Sequence, residues 1–234
     1  MGKVKIKRKS TLIDMTAMSD VTVLLLTFFM LTSTFLQKEP VTVLTPSSVS
    51  EIKVPTANLI TVLVAPEGNV FISLAGDKDS TYSSENMRAE LLKNVVAEYN
   101  RLHPNNTISL TADEVSTFSK TNMFGVKMSE LKGWLDLPQE KRDEYLDPSK
   151  NPNAGIPIDM NQDLSKPNEF QLWMRAIYNS NNSSIISTIK KGNGIAIKAD
   201  KSTTYSKIQV VMDNLQTMKM NKFSLMTALK SEDE

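Results

Sequence analysis

An uncharged, largely apolar run extends from Val21 to Leu36, and from Ala17 onward the only charge in the stretch is Asp20. One membrane-spanning helix needs about 20 residues at 1.5 Å each, so residues 15–37 are read as a transmembrane helix. Asp20, Thr27 and Thr34 recur seven apart and fall on one stripe of that helix, with Thr16 one turn ahead. Further on the period changes. Leu59 to Ala65 and Val70 to Leu74 are β-branched and apolar, separated by the turn residues Pro66-Glu67-Gly68-Asn69, which predicts a hairpin. Glu85 to Asn100 carries Met87, Leu91, Leu92, Val95 and Tyr99 at helical spacing. Near the end, Gly194 to Ala199 alternates as a strand. Tyr205 to Met218 has Ile208, Val211, Met212 and Leu215 on one helical face, and Phe223 to Leu229 predicts a last strand. This order gives an α+β domain with helices on one face of a small sheet.

Two stretches break the pattern. Residues 38–58 read as a linker, because Pro40, Pro46 and Pro55 and the surrounding Ser and Thr keep the backbone extended; within it, Val41–Leu44 and Ile52–Pro55 have the character of short edge strands. Residues 101–191 interrupt the domain formed by 59–100 and 192–230. They hold helical pieces at Thr111–Asn122, Lys127–Leu135, Gln139–Tyr145 and Asn168–Tyr178, a Pro/Asn-rich loop at 147–153, and both tryptophans, Trp134 and Trp173. They are read as a mostly helical insertion at one edge of the domain. Its aromatics are expected to form a small core, with a partner surface as the alternative.

Charge fixes an orientation. The formal net charge is +1, yet Lys3, Lys5, Lys7, Arg8 and Lys9 crowd the basic arm 1–14, just ahead of the apolar run. Such an arm places the N-terminus in the cytoplasm and the bulk of the chain outside. A cleaved signal peptide fits poorly, because Thr34-Phe35-Leu36-Gln37 lacks the small residues of a cleavage site and Asp20 falls where such a peptide is apolar. An ionised carboxylate inside a span costs at least about 2.5 kcal/mol, so Asp20 calls for a hydrated cavity or a partner helix. The alternative is an interfacial position from which it reaches out to water.

The soluble part offers little chemistry. There is no cysteine and a single histidine, His103, in what reads as a loop, which leaves no metal cluster and no catalytic triad. No phosphate-binding glycine motif is present. The acidic pairs Asp113-Glu114 and Asp143-Glu144 read as solvated helix faces, and Met212, Met218, Met220 and Met226 as core filling. The chain is expected to be no enzyme and to need no cofactor or metal.

Two motifs carry a resemblance. Ile13-Asp14-Met15-Thr16-Ala17-Met18-Ser19-Asp20-Val21, followed by Leu24 to Met30, resembles the signature of the ExbD/TolR family, with the family's membrane aspartate falling on Asp20. Ala17 and Ser19 depart from it, standing where the family usually has proline and an Ile or Val. Ile195 to Lys201, Tyr205 and Val211-Met212-Asp213 are similar to a second family pattern, and Val54-Pro55 to a short element after the span. The resemblance implies an inner-membrane, proton-driven motor subunit with Asp20 as proton carrier and Thr27 and Thr34 as a candidate polar path. It also implies a homodimer inside a pentameric ExbB/TolQ-like pore, a TonB-like partner for outer-membrane transport, and Val54 and Pro55 as a partner or dimer contact. A Tol-type role in envelope maintenance is the nearby alternative. A signal-anchored periplasmic binding protein, for which Asp20 is dispensable, is the more distant one.

Overall fold

The computed structural model describes residues 15–32, 39–41, 43–48, 55, 57–77, 83–180, 183–226 and 228–229. The chain divides into two compact units, Met1–Lys38 and Glu39–Glu234. The described part of the first is a single helix, α1 (Met15–Thr32).

The second unit is built on a five-stranded mixed sheet. Its strands are β2 (Leu59–Val64), β3 (Val70–Ala75), β4 (Met123–Phe124), β5 (Ile195–Ala199) and β6 (Ser224–Met226), in the order β4-β3-β2-β5-β6. A separate parallel pair joins β1 (Ser47–Ser48) to β7 (Ala228–Leu229). The β2–β3 hairpin is antiparallel, as the turn chemistry predicts, while β5 lies parallel to both β2 and β6. Register explains the core. Ile60, Val62 and Val64 stand opposite Leu74, Ile72 and Val70 on one side and Ile195, Ile197 and Ala199 on the other. Side chains alternate along a strand, so all of these point to one face, and all are buried. At the hairpin turn Gly68 has φ +95°, a conformation L side chains rarely adopt. Lys207 lies across this turn, donating from Nζ to Pro66 O at 3.1 Å.

The helices are α2 (Ser84–Leu102), α3 (Ala112–Ser119), α4 (Leu131–Leu135), α5 (Gln139–Tyr145), α6 (Glu169–Tyr178), α7 (Ser183–Lys191) and α8 (Tyr205–Thr217). The predicted stripe of α2 is buried, together with Val96 and, unexpectedly, Arg88. The Arg88 guanidinium donates to Leu74 O and Ser119 O, both at 3.2 Å, and so ties the end of β3 to the end of α3. Two capping boxes start helices: Thr111 with Glu114 on α3, and Asn168 with Gln171 on α6. Glu114 is therefore buried rather than part of a solvated face; Asp143 and Glu144 are exposed, as expected.

Residues 101–191 do more than add helices. Their strand β4 extends the sheet at the β3 edge, pairing Ile72 with Phe124. Phe124 packs 4.5 Å from Trp173 and 4.9 Å from Phe118, ring centre to ring centre. These aromatics share one continuous core with β2, β3, α2, β5 and α8. Asn214 of α8 reaches the start of α6, accepting from Asn168 Nδ2 at 2.9 Å. Trp134 is also core, with its indole N–H donating to Arg142 O at 3.2 Å.

Candidate functional site

Helix α1 contains neither Gly nor Pro, and its leucines and methionines are good helix formers. At 1.5 Å per residue it is about 27 Å long, close to the hydrocarbon thickness of a bilayer, about 30 Å. It is apolar on every side, and none of its residues is buried; Leu31 is 88% exposed and Phe29 60%. A helix hydrophobic all round belongs inside lipid or protein. Its hydroxyls fit that setting: Ser19, Thr22, Thr27 and Thr32 donate to the carbonyls of Met15, Met18, Leu24 and Phe28 at 2.7–2.9 Å. Each donor is thus satisfied within the helix, at no cost in unpaired groups.

Asp20 is the only charged residue of α1. Among the described residues its carboxylate has no hydrogen-bond or ion-pair partner. It stands about 7.5 Å along the axis from Met15, the first described residue of the helix. Thr27 shares its stripe, with its hydroxyl proton engaged by Leu24 O. Thr34 lies outside the described residues, as does Val54; Pro55 is half-buried. The structure therefore brings Asp20 and Thr27 onto one helix face.

The C-terminal motif gathers at the end of β5. Asp200 accepts from the Ser202 amide at 2.8 Å, the Ser202 hydroxyl at 2.6 Å and the Leu44 amide at 2.8 Å. The Ser202 donors are the main reason its pKa is held below the ordinary carboxylate value, with the Leu44 amide adding to the effect. Lys198 pairs with Glu39 at 2.6 Å. Within the motif Val211 is buried and Tyr205 is 67% exposed. Asp-x-Ser is a recognisable turn signal, but nothing in the sequence announces that Leu44 and Glu39 complete the cluster. His103 stacks on Tyr99 with ring centres 4.4 Å apart.

The fold and the site define a class: an apolar helix of spanning length carrying one carboxylate, joined to an α+β domain. The family described as biopolymer transport protein ExbD/TolR matches residues 7–123, and the chain belongs to it. No curated protein and no solved structure matches the chain. The matched region runs from the basic arm through α1, the hairpin, α2 and α3 to the start of β4. Proteins of this family are inner-membrane subunits that energise biopolymer transport.

Proposed function

We propose that this chain is the proton-carrying subunit of an inner-membrane motor and that Asp20 carries the proton. The observation behind this is a single ionisable group on a helix apolar all round, in a chain of the ExbD/TolR family. A carboxylate shielded from water favours its neutral form. Ionised, Asp20 seeks a hydrated or polar site; protonated, it tolerates an apolar one. Alternate protonation from the two sides of the membrane biases the helix between two settings inside a surrounding ring. That ring is an ExbB/TolQ-like pentamer holding two copies of α1, with the N-terminus cytoplasmic and the α+β domain periplasmic, acting on a TonB-like partner. Thr27 and Thr34 contribute acceptor oxygens to the proton path, and Val54-Pro55 makes a dimer or partner contact. The soluble domain transmits force and catalyses no reaction.

The test is Asp20→Asn, which keeps shape and hydrogen bonding but cannot ionise. The variant is expected to accumulate and assemble with its partner normally while losing proton-motive-force-dependent function at least about 100-fold, the scale on which general acid–base groups act. Asp20→Glu should retain partial activity. An Asn variant that assembles and works at the wild-type rate overturns the proposal.

A further inference from the structure

Residues 101–191 build a cleft against the β2–β3 hairpin turn. Strand β4 runs antiparallel to β3, so the chain leaving Phe124 heads back toward the turn at Pro66–Asn69. The loop at 152–158 then lies alongside. Gly155 donates to Gly125 O and Ile156 donates to Val70 O, both at 2.8 Å. From the turn, Asn69 Nδ2 donates to Ala154 O at 2.5 Å. Gly155 has φ +103°, and a Cβ there would meet the Val70 amide nitrogen at 3.0 Å. The loop approaches the sheet this closely because glycine holds that position. Three segments distant in sequence are thus fixed around one opening.

The opening has a volume of about 410 Å³, within the range of small-molecule sites, about 300–1,000 Å³. Its walls are largely polar: Glu67, Gly68 and Asn69 of the turn, Lys127 after β4, and the loop from Pro152 to Ile158. Glu67 and Asn153 are exposed and Lys127 is half-buried. Among the described residues, no hydrogen bond or ion pair engages the Glu67 carboxylate, the Lys127 ammonium or the Asn153 side-chain amide. Glu169, the acid that feels the charge of Lys127, is engaged by the Met128 amide. One cleft therefore presents an anion, a cation that is not paired with it, and an amide whose donors and acceptor are free for a ligand. The chemistry that satisfies all three is a small zwitterion with a peptide group between its charges.

We infer that this cleft binds a short peptide by its two free termini: Glu67 takes the ammonium, Lys127 the carboxylate, and Asn153 pairs with a peptide group between them. Charge-assisted hydrogen bonds of this kind are stronger than neutral ones, and Pro152 and Pro157 give apolar surface beside them. The inference is independent of Asp20 and of the motor reading.

Tri-alanine is the probe, because only termini and peptide groups are recognised. Full-length protein in detergent micelles is titrated with it and followed by backbone amide NMR. Saturable shifts are expected at Asn69, Asn153 and Gly155, with β5 unmoved. N-acetyl tri-alanine and tri-alanine amide each lack one charge and should bind the wild-type protein about five-fold more weakly. Glu67→Gln should weaken binding of tri-alanine to a similar degree and abolish the difference between the free and the acetylated peptide. Lys127→Gln should do the same for the amidated one. A merely structural role for either residue would leave those differences in place. The absence of a saturable shift, blocked peptides that bind as tightly as the free one, or variants that keep the wild-type preferences each overturn the inference. The blocked peptides on the wild-type protein decide the matter where a variant fails to fold.

Discussion

Asp200 and Glu169 are carboxylates moved in opposite directions by their surroundings. Asp200 is held low chiefly by the Ser202 hydroxyl and amide, with Lys201 the nearest charge on its own loop and the Glu39–Lys198 pair two residues back. A depressed folded value adds stability above the unfolded pKa of about 3.9, and that stability is lost as pH falls through the folded value. Exchange protection at the Leu44 amide should therefore hold from pH 7 to 5 and fall below about pH 4; Asp200→Asn should remove this pH dependence. Glu169 is pushed up, mainly by burial, against the opposing Met128 amide that donates to it at 2.8 Å. Lys127 and His103 lower it and Glu130 raises it. A raised folded value means that its contribution is full below the unfolded pKa and is lost as pH rises through the folded one. Glu169→Gln keeps the acceptor and removes the ionisation, so Tm at pH 7 should rise by about 2 °C, with the difference gone at pH 3. The Ser202 part of the Asp200 shift is local, a turn that the Asp-x-Ser sequence signals, whereas the Leu44 amide on Asp200 and the burial of Glu169 depend on neighbours far along the chain and were not visible in it.

At the scale of elements, what has a period was legible. The hairpin, α2, α5, α6 and α8 lie where alternation or helical spacing puts them, within a residue or two. Strand β4 has two residues, too few to show alternation, and α7 (SSIISTIKK) lies in a Ser/Asn-rich stretch for which no element was expected. The role of Trp173 was half legible: an aromatic on a helical face announces a core, but not that the core is the sheet's own. Phe118, Phe124 and Trp173 are essentially fully buried in the core they share with the sheet. Trp173→Ala should cost about 4 kcal/mol in urea unfolding of the soluble domain. Replacing residues 101–191 with a Gly/Ser linker should unfold the domain rather than trim it, since it removes β4 from the sheet edge and Phe118, Phe124 and Trp173 from the shared core. A folded, cooperative domain after that excision, by circular dichroism and urea titration, would show that the core closes without it.

At the scale of the molecule, the uncovered surface of α1 and the basic arm ahead of it lead to one expectation about assembly. A helix whose side chains all lie exposed in the isolated chain should copurify with a multi-span partner after gentle solubilisation, and the mass of the particle should exceed that of a monomer or dimer. A reporter fused after Glu234 should be active only in the periplasm. The position of Asp20 on α1 was legible from sequence because a lone charge in an apolar run is a local signal. What surrounds it was not, since among the described residues no hydrogen bond or ion pair reaches its carboxylate.

The parallel pairing of β2 with β5 has a consequence for how the molecule comes into being. Val64 ends β2 near the start of the soluble unit, yet its neighbour Ala199 is made only after most of the chain. The β2–β3 hairpin therefore waits, one long edge bare, while everything between is synthesised and delivered. Pairings so distant in sequence slow folding and prolong the life of sticky intermediates. The hairpin's apolar face, Ile60, Val62, Ile72 and Leu74, lacks its β5 neighbour in that interval, and the central strand of the finished sheet, among the first to be made, is enclosed only once β5 arrives.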